Sequence, residues 1–233
     1  MIFGAIRKFS TIDYPGKLAC VLGTKGCNMN CHWCHNYDLV SFEFSPECQI
    51  ITEPDVMEFL KKRTGFIEGV VISGGEPTLH KDLPDFCGAV KAMGFAVKLD
   101  TNGTNPVMVE TLITEQLIDY VAMDVKTDFH TYPAITKHKF HPEKIKQSID
   151  LLLNGSLPYE FRTTCVKPFV DKTRIEKIGA LIQGADHLFL QKFDHSHVAN
   201  QDYAGNRDAG FDDEEMADLR LRVRPYVAEC RIR

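Results

Sequence analysis

Gly26-Cys27-Asn28-Met29-Asn30-Cys31-His32-Trp33-Cys34-His35-Asn36 carries three cysteines spaced Cys-x3-Cys-x2-Cys, and the next cysteine is Cys48. Three thiolates at this spacing can hold three irons of a cubane. The fourth iron is then open to bind and reduce a substrate, which a fully ligated electron-transfer cluster cannot do directly. Two other readings of the same residues stand beside this one. Cys31-His32-Trp33-Cys34-His35 fits the C-x-x-C-H pattern of c-type haem attachment. That attachment goes with export, and the first eight residues have neither a long apolar run nor a small-residue cleavage site. Cys27, Cys31, Cys34 and His35 could instead form a structural zinc knuckle, although such sites are usually built from two separated pairs of ligands.

Outward from the cysteines, short β-like runs alternate with amphipathic helical patterns. The runs are residues 17–23, 69–73, 95–99, 120–125, 159–166 and 187–193. Helical spacing covers 54–63, with Val56, Phe59 and Leu60 on one face and Thr52 and Asp55 as a cap pair. It recurs over 84–93, ending at Gly94, over 142–153 and over 173–182. Strand and helix in repeated alternation predict a parallel sheet, as an open doubly wound sheet or a partial barrel. The tail differs: 199–210 reads as a polar loop, and 212–224 as a helix with Asp212 and Glu215 as its capping pair, ended by Pro225.

The 233 residues suit one domain, and 44% hydrophobic content supplies a sizeable core. A net charge of −5 carries no footprint for nucleic acid, and no apolar run reaches membrane-spanning length. Cys20, Cys87 and Cys165 lie in apolar stretches and read as buried thiols behaving as small hydrophobes. A reducing cytoplasm suits both kinds of cysteine.

Polar residues collect after the C-terminal ends of the expected strands, the edge where parallel α/β folds bind ligands. Gly74-Gly75-Glu76-Pro77 follows one run, Asp100-Thr101-Asn102-Gly103 the next, and Asp124-Val125-Lys126 ends a third. Arg162 and Gln191 lie within later runs. Each has a plainer reading: a glycine turn, a turn with local side-chain bonds, and an ion pair between residues two apart on one strand face. His195 and His197 read as loop histidines.

Together these residues resemble the radical S-adenosylmethionine (SAM) superfamily, through Cys27, Cys31, Trp33 and Cys34 and through Gly74–Pro77 in the place of its Gly-Gly-Glu-Pro segment. Within it the chain is similar to the glycyl-radical-enzyme activases, and most to those of anaerobic ribonucleoside-triphosphate reductase. The residues concerned are Cys34-His35-Asn36, Asp13-Tyr14-Pro15-Gly16 and Asp124-Val125-Lys126. The resemblance implies one radical SAM domain over 1–233, with a partial (β/α)6 barrel core at about 11–193, a short N-terminal segment and a C-terminal loop and helix over 194–233. It implies a [4Fe-4S] cluster on Cys27, Cys31 and Cys34, and SAM held by Gly74, Gly75 and Glu76 with Trp33 near the adenine. It further implies a monovalent cation at Asp100, Thr101 and Asp124, Lys126 on the SAM carboxylate, and Arg162 beside it. The implied partners are a glycyl-radical enzyme as protein substrate and a flavodoxin- or ferredoxin-type reductant, with neither nucleic acid nor membrane. One rival is an enzyme of the same superfamily acting on a free metabolite, similar to 7-carboxy-7-deazaguanine synthase. Such enzymes often follow the third cysteine with Asp-Thr rather than His-Asn. The other rival is a non-catalytic iron–sulfur or haem electron carrier, which leaves Gly74–Pro77, Asp100 and Lys126 without a role.

Overall fold

The computed structural model describes residues 1–42, 50–195, 198 and 207–233. Cys48, His197 and most of the expected loop at 199–210 lie outside the described residues. The chain packs as two compact units, one of Met1–Cys27, Asp38–Thr101 and Val107–Val121, the other of Asn28–Tyr37, Asn102–Pro106 and Ala122–Arg233.

In the first unit the strands are β1 (Ile2–Ser10), β2 (Ala19–Thr24), β3 (Ile51–Thr52), β4 (Gly69–Gly74) and β5 (Ala96–Thr101), in the order β3-β1-β2-β4-β5. β1 runs antiparallel to β2 and β3, whereas β2, β4 and β5 are mutually parallel. Val70, Val71 and Ile72 of β4 are all buried, as expected of a strand covered on both faces. Helix α1 (Glu53–Lys61) opens with the Thr52–Asp55 capping box, whose two side chains satisfy backbone N–H groups at the helix start. Helix α2 (Leu83–Ala92) buries Leu83, Phe86, Cys87 and Val90. Fully burying side chains of this size is worth about 1.5–3 kcal/mol each. Helix α3 (Pro106–Thr114) and the start of β6 (Tyr120–Asp124) complete the unit.

The second unit carries the rest of β6, β7 (Tyr159–Cys165), β8 (Ala185–Lys192) and β9 (Val227–Ile232) in that order, with β7, β8 and β9 parallel. Helices α4 (Pro142–Leu153), α5 (Lys172–Leu181) and α6 (Asp213–Val223) connect or cover them. α6 starts at the expected Asp212–Glu215 capping box. β3 and β9 are edge strands, so the sheet does not close, and the fold is α/β with a largely parallel sheet.

Three elements correct the sequence expectation. The N-terminal segment is strand β1. Residues 106–114 are helical, but Val107, Val109, Leu112 and Ile113 leave no clean polar face to reveal it. The C-terminal helix is followed by strand β9. Glu160, 1% exposed on β7, takes both guanidinium nitrogens of Arg233, which also stacks over Phe189 of β8 at 3.3 Å. That two-pronged contact fixes the end of the edge strand. Among the described residues, no helix is long and apolar enough to cross a membrane.

Candidate active site

The cysteine loop grows from the end of β2. In the first unit its base is pinned by backbone. Gly26 and Cys27 donate to the Leu39 and Val40 carbonyls at 2.7 and 3.1 Å, and Gly75 and Glu76 donate to those of Thr24 and Gly26 at 2.8 and 2.7 Å. The second bond pair explains the two glycines. Gly74 has φ +109°, and a Cβ there would lie 2.4 Å from the Thr24 nitrogen. A Cβ on Gly75 would lie 2.1 Å from the Gly26 carbonyl oxygen. Only glycine admits that approach.

Glu76 is 1% exposed. Its Oε1 accepts from the Thr78 N–H and hydroxyl at 3.1 and 2.5 Å, and from the Thr101 hydroxyl at 2.7 Å. Glu76 therefore caps the short turn Pro77–Leu79 and ties the ends of β4 and β5 together. Asp100 is paired with Lys98, which is 1% exposed and sits two residues away on the same strand face. The sequence reading missed Lys98, although the Lys98-Leu99-Asp100 spacing carried the signal.

In the second unit the loop continues as a turn in which the Cys34 N–H donates to the Cys31 carbonyl at 3.1 Å. Trp33, 4% exposed, packs on Phe169 at 4.6 Å. His35 stacks on Phe193, and its Nε2 donates to the Asp194 carbonyl at 2.8 Å. This uses one of the two nitrogens a zinc knuckle would draw on. Asn28 bonds Thr104 and Asn102, at 2.8 and 3.0 Å, and Asn102 closes its own turn onto Thr104. His195 lies edge-on to Phe193 with its Nδ1 buried and without a hydrogen-bond partner among the described residues.

Asp124 at the end of β6 is bracketed by two cations, with Arg162 Nε on one oxygen at 3.0 Å and Lys126 Nζ on the other at 3.2 Å. The expected ion pair on one strand face is present, with Arg162 added. Burial alone would raise the Asp124 pKa, but Arg162 and Lys126 outweigh it and hold the carboxyl at about 2. Burial opposes charge on Lys126 too, and Asp124 outweighs it, keeping the amine protonated. Lys126 and Arg162 set two cations beside Asp124, chemistry suited to a carboxylate ligand. Because the carboxyl is depressed below its ordinary 3.8, its contribution is fully present above that pH and fades as pH falls toward 2. Asp124→Asn is expected to cost about 2–3 kcal/mol in urea unfolding at pH 6, by removing the carboxylate charge that Arg162 and Lys126 share. The gap to the parent should narrow at pH 3 and below. Equal stability of the two proteins at pH 6 would refute this account.

The described cysteines differ in their surroundings. Burial pushes Cys20, Cys87 and Cys165 up to about 12, which makes them inert thiols, as expected. Cys27, Cys31 and Cys34 are half-exposed, although burial pushes the Cys34 thiol up as well. Among the described residues, no three His, Cys, Asp or Glu side chains converge to hold a single metal ion. A cubane asks instead for one thiolate on each of three irons, and the half-exposed loop thiols fit that requirement. Asp100 already carries Lys98, Asp124 already carries Lys126 and Arg162, and the Thr101 hydroxyl is committed to Glu76.

Both units thus present their chemistry-bearing residues at or near the C-terminal ends of parallel strands, the arrangement of an α/β cofactor enzyme. Residues 21–178 match the Radical SAM superfamily, and the chain belongs to it. The cofactors of that family are a [4Fe-4S] cluster and SAM. A protein of Methanocaldococcus jannaschii assigned as a glycyl-radical enzyme activating enzyme is 37% identical over 207 residues, 87% of this chain and 84% of its own. The pyruvate formate-lyase 1-activating enzyme of Escherichia coli K12 is 32% identical over 137 residues, 54% of this chain and 53% of its own. Streptococcus suis SuiB bound to the precursor peptide SuiA superposes with a TM-score of 0.68 at 15% identity. That match covers 91% of this chain and 48% of SuiB, and it shows the fold.

Proposed function

We propose that the chain is an activase that installs a glycyl radical on a partner enzyme, with anaerobic ribonucleoside-triphosphate reductase as the favoured partner. The observation that carries this is the likeness, along 87% of the chain, to a relative assigned to that class of activity. Cys27, Cys31 and Cys34 hold the cluster. Gly74, Gly75 and Glu76 receive the amino end of SAM, and Glu76, already oriented by Thr78 and Thr101, offsets its positive charge. Lys126 pairs with the SAM carboxylate, while Asp124, itself held by Arg162, keeps the Lys126 amine in place. Trp33, packed on Phe169, forms the adenine side. When bound, the reduced cluster supplies one electron that cleaves SAM to methionine and a 5′-deoxyadenosyl radical, which takes hydrogen from the partner's glycine. No general acid or base is required. The protein's task is to position the reactants and exclude water. Reduced thiolates and a low-potential donor support a cytoplasmic setting for the reaction.

With reductant and SAM alone, slow release of 5′-deoxyadenosine is expected. Adding the partner should speed that release and leave a glycyl signal in electron paramagnetic resonance. Efficient turnover of a free purine-like metabolite, with no glycyl signal on any candidate partner, would favour the metabolite enzyme instead.

A further inference from the structure

Thr136-Lys137-His138-Lys139-Phe140-His141-Pro142-Glu143-Lys144-Ile145-Lys146 holds four lysines and two histidines against one glutamate, in a chain whose formal charge is −5. All four lysines and both histidines are exposed. Lys146 pairs with Asp150, and Glu143 with His141, while Lys139 and Lys144 stand exposed on the same run.

This basic run is fastened to the cysteine loop. Met29 and Thr136 form a β-bridge. The Asn30 N–H donates to the Ile135 carbonyl at 2.8 Å, and the Lys137 N–H donates to the Asn28 carbonyl at 3.1 Å. An aromatic stack holds the run in shape. Phe140 lies flat on Tyr132 at 4.9 Å, and Phe129 touches both. Tyr132 is fully buried, and its hydroxyl accepts from the Lys126 N–H at 3.0 Å. Lys139, Lys144, Asn28 and Thr104 help line a cleft of about 240 Å³ on this face. That is below the roughly 300–1,000 Å³ of sites that enclose a small molecule. The face therefore suits contact with a surface.

We infer that this face docks an acidic one-electron donor protein of the flavodoxin or ferredoxin kind, resting on the proposed reading that the cysteine loop holds the cluster. Electron transfer weakens steeply with distance, so the donor must come close to the loop, and the basic run is bonded to residues 28–30 of it. Opposite charge steers such an encounter and sets its dependence on salt. One electron leaves the donor's flavin or iron–sulfur centre and enters the cluster. No bond forms or breaks.

The test uses the full chain with its reconstituted cluster and compares the parent, the double variant Lys139→Glu/Lys144→Glu, and Lys81→Glu as a charge-reversal control outside the run. Binding of oxidised flavodoxin and, in a parallel arm, oxidised ferredoxin is measured at low salt, which separates the two donors. The double variant should bind the donor about ten-fold more weakly and show a similar loss in donor-driven 5′-deoxyadenosine formation. Dithionite-driven formation should be unchanged, and the control should behave as the parent. Salt above about 0.1 M should slow only the donor-driven reaction. Equal donor binding by the double variant and the parent would overturn the docking surface. So would loss of dithionite-driven cleavage in the variant, equal competition by a short oligonucleotide or inorganic phosphate, or a defect confined to radical formation on the glycyl partner. Failure of dithionite-driven cleavage in the parent would overturn the cluster reading itself, with donor binding still measurable.

Discussion

Cys31→Ala protein, reconstituted anaerobically, is expected to lose the cubane and with it essentially all SAM cleavage, while Cys87→Ala keeps both. The contrast follows from environment. Cys31 is half-exposed, in a turn closed by the Cys34 N–H, whereas Cys87 is buried in α2 with its pKa raised to about 12 by burial. Ligation needs an accessible thiolate, and the buried thiol is a packing group. Cys27→Ala and Cys34→Ala should behave as Cys31→Ala. Iron and sulfide content, the broad absorption of a cubane, and 5′-deoxyadenosine release are the measurements. Full cleavage by Cys31→Ala would end the ligand assignment, and tight zinc without iron would favour the knuckle.

The second large effect is expected from a single methyl group. In Gly75→Ala the new Cβ would sit 2.1 Å from the Gly26 carbonyl oxygen and 3.1 Å from that of Leu39, both backbone atoms that cannot rotate away. Relief requires β4 and the base of the cysteine loop to part, straining the Gly75 and Glu76 bonds to Thr24 and Gly26. The cost is about 3 kcal/mol or more, or roughly 6–12 °C in Tm for a chain of this size. Iron incorporation should fall with it, because Gly26 precedes Cys27. Glu76→Gln should keep the fold and cluster content while weakening SAM binding about ten-fold. The pair separates the two functions of this segment. Gly75→Ala with parental Tm and iron content would show that the close approach is not required.

Much of this was legible in the residues. The six central strands and five of the helices were readable because buried parallel strands and one-faced helices leave strong periodic signals, and the capping pairs Thr52–Asp55 and Asp212–Glu215 both form. β1 and β9 were not, because an antiparallel hairpin and an edge strand alternate only weakly; β9 is held by the Arg233–Glu160 pair, 73 residues apart. Residue types at the strand ends were readable, but not their commitments. Nothing local says that Glu76 gathers three donors on one oxygen, or that Arg162 reaches across 38 residues to Asp124. Such pairings are set by which strands neighbour one another, and sequence spacing records that only within a strand, as for Lys98 and Asp100.

Lys98 has one more consequence. A counter-ion drawn from the medium is held with finite affinity, can be exchanged for another of different size, and is lost on dilution or dialysis. The ammonium on Asp100 is joined to its own strand two residues away and is almost wholly shut from solvent. Its local concentration is set by covalent geometry, so the charge at Asp100 stays neutralised whether the surrounding salt is sodium, potassium or nearly absent.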